Sequence, residues 1–127
     1  MGQADIKYSQ THEWARIEGN IATVGITEFA AQQLSDLVYL DLPKVGTKVK
    51  QGEPFGEVES VKAVSDINAP VSGEVTEMNE KATSNLNLVT TVSMTDGWLI
   101  KIKISDPKEL NNLISADEYV KLSESGQ

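Results

Sequence analysis

The chain has 127 residues, 19 of them acidic against 11 basic, for a net charge of −8, with one histidine and no cysteine. That balance excludes a protein whose affinity rests on neutralising phosphates, so no nucleic-acid partner is expected; it suits either plain solubility or docking on the basic rims of partner enzymes. The absence of cysteine excludes disulfides, thiolate metal sites and a cysteine nucleophile.

The length fits one compact domain, 1–127, and no low-complexity linker divides it. Met1-Gly2-Gln3-Ala4-Asp5 has neither signal-peptide nor transit-peptide character, and no apolar run reaches the roughly 18 residues that cross a bilayer. A cytoplasmic or already processed protein without a membrane partner is expected. Two strands, Glu13–Glu18 and Ile21–Ile26, are predicted to meet at the tight turn Gly19-Asn20. Thr27 caps a short helix over 28–34, with Glu28 at its positive end. A strand over 38–42 follows, then a turn from Pro43 to Gly46.

Residues 54–59 and 64–68 read as strands on either side of Lys62, which places that lysine at a hairpin tip. Segments 45–49 and 71–75 share a pattern, which points to a weak two-fold repeat of strand pairs flanking the lysine turn. In Trp98-Leu99-Ile100-Lys101-Ile102-Lys103-Ile104 the isoleucines alternate with lysines, the pattern of a strand with one buried and one wet face. Asp106 with Glu109, and Ser115 with Glu118, have capping-box spacing, so helices over about 107–113 and 116–122 are expected. Many short strands broken by glycine and proline make the expected fold mainly β, a sandwich or barrel.

Lys62 on a tight turn is held away from the body while its backbone stays fixed, the geometry needed by a cofactor tethered as an amide. The bland alternative is a solvated surface lysine, the commonest fate of lysine. Thr11-His12-Glu13-Trp14 contains the only histidine. A lone histidine makes no triad or metal site unless partners arrive from elsewhere, so a hydrogen-bonded structural or surface role is the plainer reading. Glu13 and Asp66 are candidates for an acidic lip near the arm. No phosphate loop, nucleophile elbow or zinc-protease helix is present, which leaves autonomous catalysis and a metal centre without support.

Taken together, Thr11-His12-Glu13-Trp14, Ile21 to Thr27, Val38 to Pro43, Phe55 to Asp66, Ala69 to Val75 and Gly97 to Lys103 resemble, in order, the H-protein family of the glycine cleavage system. The element Glu59-Ser60-Val61-Lys62-Ala63 is specific: lipoyl domains of 2-oxoacid dehydrogenases usually show Asp-Lys-Ala, and biotin carriers Met-Lys-Met. The resemblance implies a barrel-sandwich hybrid of two antiparallel sheets, with residues 106–127 as a helical extension. It further implies (R)-lipoate in amide linkage to Lys62, with Glu59, Ser60, Val61 and Ala63 presenting the hairpin to lipoate-attaching enzymes.

In such a carrier, P-protein passes the aminomethyl group of glycine to the arm, T-protein removes it and L-protein reoxidises the arm; the carrier itself is no enzyme. Thr11, standing where the family often has serine, joins Glu13 and Asp66 as the implied cleft for the loaded arm. The compartment implied is cytoplasm for a bacterial chain and mitochondrial matrix for a processed eukaryotic one. Two other uses compete: a lipoyl or octanoyl relay in lipoate biosynthesis, and a binding module that is never lipoylated. One segment departs from the pattern. The family has Asn-Pro-x-Leu-Val/Ile-Asn and then Pro-Tyr-Gly where this chain runs from Asn85 to Gly97 without either proline or the tyrosine. A freer or differently shaped loop beside the arm's cleft is therefore expected.

Overall fold

The computed structural model describes residues 5–34, 36–93 and 95–124. Its strands are β1 (Asp5–Tyr8), β2 (Glu13–Glu18), β3 (Ile21–Ile26), β4 (Leu37–Asp41), β5 (Lys48–Val49), β6 (Pro54–Ser60), β7 (Val64–Asn68), β8 (Gly73–Met78) and β9 (Ile100–Ile104). Its helices are α1 (Glu28–Gln33), α2 (Glu80–Ser84), α3 (Asn87–Thr91) and α4 (Ala116–Glu124), with a 3₁₀ turn over Pro107–Asn112. One sheet has the order β1-β2-β3-β9-β8-β5 and the other β4-β6-β7. Every strand pairing is antiparallel.

The alternation in β9 works as its sequence demands. Ile100, Ile102 and Ile104 are buried, while Lys101 reaches Glu77 at 3.7 Å and lies over the Trp98 ring. The expected strand over 98–104 starts two residues late because the Trp98 carbonyl is taken by Asn79 Nδ2 (2.7 Å) instead of a ladder partner. Both sheets feed one core, with Val24, Ile26, Val75 and Ile102 from the larger and Leu40, Val58 and Ile67 from the smaller. Each such side chain contributes about 1.5–3 kcal/mol of burial.

The two similar segments meet each other: Lys48 pairs with Glu74 and Val49 with Gly73. On the other side of β8, a Cβ at Gly73 would lie 2.0 Å from the Lys103 carbonyl oxygen, so only glycine lets β8 and β9 approach there. Beyond β9, Asp106 caps the 3₁₀ turn by accepting Lys108 N–H, but Glu109 does not complete the expected box. Its carboxylate turns away to Ser72, accepting the N–H at 2.7 Å and the hydroxyl at 2.8 Å; a tertiary partner outcompetes the local one, and the segment is 3₁₀ rather than α. The second box does form, Ser115 and Glu118 exchanging bonds at the start of α4. Strand β1 and helices α2 and α3 were not among the expected elements, and the expectations for residues 1–4 and 125–127 lie outside the described residues.

Candidate functional site

Strands β6 and β7 form the predicted hairpin, with Glu57 opposite Asp66, Val58 opposite Ser65 and Glu59 opposite Val64. Its tip is Val61-Lys62-Ala63. Ser60 is buried and closes the turn: its N–H donates to the Ala63 carbonyl (2.8 Å), while its hydroxyl accepts Ala63 N–H (3.2 Å). Val61 N–H donates to the Asp36 carbonyl (3.0 Å), pinning the tip to the entry of β4. Lys62 projects from this clamp into solvent and has no ion pair among the described residues. Of the residues expected to present the hairpin, Glu59, Val61 and Ala63 are exposed, whereas Ser60 faces inward and sets the turn's shape.

Beside the tip, Lys62, Ser60 and Ala63 line a hollow of about 350 Å³ together with Gln32, Gln33, Leu34 and Ser65. Gln33, Leu34 and Ser65 also line a second space, a cleft of about 260 Å³. Four stretches build that cleft: Thr11, His12 and Glu13 before and at the start of β2; Ile26 at the end of β3; Phe29, Ala30 and Gln33 of α1 with its C-cap Leu34; and Val58, Ser65, Asp66 and Ile67 from the hairpin. Thr27 places α1 by capping it, its Oγ1 accepting Ala30 N–H at 3.2 Å. The hollow at Lys62 and the cleft at Glu13 are thus neighbours that share Gln33, Leu34 and Ser65 as walls.

Glu13 and Asp66, expected as a lip, differ in depth. Asp66 is exposed on the outermost strand of the smaller sheet, while Glu13 is 3% exposed. The Glu13 carboxylate accepts from the Ser9 hydroxyl at 2.6 Å, from the Thr11 hydroxyl and from Asn68 N–H at 3.1 Å. No cation faces it among the described residues. Burial pushes its pKa above the ordinary carboxylate value, and the donors from Ser9, Thr11 and Asn68 offset only part of that shift. The result is a desolvated carboxylate with three donors and no cation against it among the described residues. Ser9 and Asn68 were missed from sequence; Ser9, four residues before Glu13, was the legible one, while Asn68 arrives through tertiary packing.

His12 takes the structural reading. Its Nδ1 is 2.7 Å from the Tyr119 hydroxyl, its ring lies against Phe29 and its backbone is left-handed, with φ of 74°. The departing segment is not a loop at the cleft. It folds into α3, ends in a turn whose Ser93 carbonyl accepts the Trp14 indole N–H (2.9 Å), and none of its described residues lines the cleft. It touches the cleft indirectly, because α3 packs on α1. Leu86, Val89 and Val92, spaced three apart, were the helical signal.

The profile described as glycine cleavage H-protein matches residues 6–126. The chain belongs to that family. It is 50% identical over 123 residues to the glycine cleavage system H protein of Symbiobacterium thermophilum, covering 97% of this chain and 96% of that one. It is 51% identical over 120 residues to the mitochondrial glycine cleavage system H protein 2 of Arabidopsis thaliana, covering 94% and 77%. A crystal structure of the glycine cleavage system H protein from Mycobacterium marinum superposes with a TM-score of 0.85 at 37% identity, over 98% of both chains. The fold is accordingly the barrel-sandwich hybrid of this family, two antiparallel sheets that do not close into a barrel. Its relatives include bacterial and mitochondrial proteins, and no helix among the described residues is long and apolar enough to cross a membrane.

Proposed function

We propose that this chain is the non-catalytic lipoyl carrier of a glycine cleavage system, working in the bacterial cytoplasm or the mitochondrial matrix. The observation that supports this reading is that the hollow at Lys62 and the cleft at Glu13 lie side by side, sharing Gln33, Leu34 and Ser65 as walls. The residues present fit an arm of this kind: an accessible amine on a clamped turn, a trough of Phe29, Leu34, Val58 and Ile67 for hydrocarbon, and a buried acceptor at the far end. Lys62 would hold (R)-lipoate as an amide, and its dithiolane would supply the thiol chemistry for moving the aminomethyl group of glycine from P-protein to T-protein, with L-protein as the partner that restores the disulfide.

The protein's own contribution is presentation and shelter. Ser60 and the Asp36 carbonyl hold the tip in one shape, so that lipoate-attaching enzymes meet Glu59, Val61 and Ala63 around the amine in a constant arrangement. Glu13 receives the ammonium end of the loaded arm in a partly dry cleft, where attraction is screened less than in water. Thr11 and Ser9 orient its carboxylate, and Asp66 adds negative potential at the rim. The apolar walls keep water from a group that it would otherwise decompose.

Intact-mass analysis from a host competent in lipoylation tests the proposal. Wild type gains one lipoyl mass and Lys62→Arg gains none; the purified wild type then supports glycine–bicarbonate exchange by P-protein. An unmodified wild type would refute the carrier reading and leave a binding module.

A further inference from the structure

One hydrogen-bonded chain runs from His12 on the cleft wall to Tyr119 and Thr27 behind it. Thr27 is 1% exposed, and its Oγ1, which accepts Ala30 N–H, lies 2.6 Å from the Tyr119 hydroxyl. The same Tyr119 oxygen lies 2.7 Å from His12 Nδ1. Tyr119 is itself buried in α4 and stacked on Tyr8, with ring centroids 4.7 Å apart, so its hydroxyl is held in place. Two proton arrangements connect these groups. If His12 Nδ1–H donates to Tyr119 and Tyr119 to Thr27, the Thr27 hydroxyl proton is left without an acceptor away from water. If Thr27 donates to Tyr119 and Tyr119 to His12 Nδ1, every donor is satisfied. The penalty for a buried unsatisfied donor favours the second arrangement by about tenfold or more.

We propose that Tyr119 is a positioning residue for the arm cleft: its hydroxyl, fed by Thr27, holds neutral His12 as the Nε2–H tautomer on the wall beside Glu13. The backbone supports this placement. Thr27 N–H donates to the His12 carbonyl at 3.1 Å, and the left-handed φ of His12 is an arrangement that costs energy unless its surroundings enforce it. Nε2 has no protein partner among the described residues and His12 lines the cleft, so its N–H is available to donate to the cleft's occupant. Adjacent residues then offer the arm complementary groups, an acceptor from Glu13 and a donor from His12, and α4 governs the second of them from the far end of the chain. Only the donation to the arm rests on the carrier reading; the tautomer does not.

His12 is the only histidine, so long-range proton–nitrogen spectra of its imidazole need no assignment. In full-length unlipoylated protein, at a pH where the ring is neutral, the expected pattern is Nε2–H with Nδ1 as a hydrogen-bond acceptor. Tyr119→Phe keeps the ring stack, shifts the Nδ1 resonance as that bond is lost, and lets the Nδ1–H form become detectable. In lipoylated protein loaded with methylamine, Tyr119→Phe speeds release of the loaded group about fivefold, the effect of one hydrogen bond, with lipoylation unchanged. An Nδ1–H pattern in the wild type overturns the proposal, even if the variant fails to fold. So does a Tyr119→Phe spectrum identical to wild type. Unaltered release beside the expected spectra would overturn the step toward the arm, and failure of lipoylation itself would count against the carrier reading alone.

Discussion

The hairpin tip and the cleft wall are built in opposite ways. Ser60, Val61, Lys62 and Ala63 are consecutive, and the bonds that shape their turn run between Ser60 and Ala63, with one tie to Asp36. The cleft draws on residues from the start of β2, from α1 and from the hairpin, and its wall is tied by Tyr119, over a hundred positions from His12. Presentation of the amine is therefore a local property that distant substitutions leave alone. The shape of the cleft is a tertiary property that many of them disturb.

That contrast is open to attack by substitution. The largest effect belongs to the tip: Lys62→Arg abolishes modification and glycine–bicarbonate exchange, while calorimetry finds the melting temperature essentially unchanged, since the side chain is exposed. Glu13→Gln acts on the other region alone. Lipoylation proceeds at the wild-type rate, but methylamine release from the loaded arm, followed by single-turnover kinetics, is faster by about tenfold, roughly the 1.4 kcal/mol lost when a charged acceptor becomes neutral. Ser60→Ala reverses the pattern: stability falls by about 1 kcal/mol and lipoylation slows as the turn loosens, with release from any modified protein unaltered. Equal effects of Ser60→Ala and Glu13→Gln on both readouts would erase the distinction between the regions.

The smallest effect is on pH dependence. Because burial raises the folded-state pKa of Glu13, folding favours its protonated form. Its contribution to stability is complete below the ordinary carboxylate value of 4.5 and is lost as pH rises through the higher folded value. Thermal melts should show a wild-type melting temperature that falls relative to Glu13→Gln over that window and runs parallel to it on either side.

The same division explains what could be read from the chain. The alternation of β9, the Gly19 turn, the Thr27 cap and the lysine hairpin are short-range patterns, and they were legible from sequence. Glu109 misled because its local role as a capping partner lost to Ser72, a competition that spacing does not display. Glu13 and Asp66 were recognisable as cleft candidates, but not their unequal depth, because depth depends on β2 lying inside one sheet and β7 at the edge of the other. Segment 85–97 was read as a freer or differently shaped loop on the loss of its prolines; its apolar spacing builds the helix α3 against α1. Tyr119 carried no local signal at all, since its two hydroxyl partners come from the first quarter of the chain.

An arm on Lys62 that reaches Glu13 must pass the walls shared by the hollow and the cleft. Backbone amide spectra of the full-length lipoylated protein, recorded before and after loading with methylamine, test that path most directly. Shifts are expected at Gln33 and Leu34, at Ser65 and Asp66, and at Thr11 to Glu13. Shifts confined to residues 60–63 would contradict it.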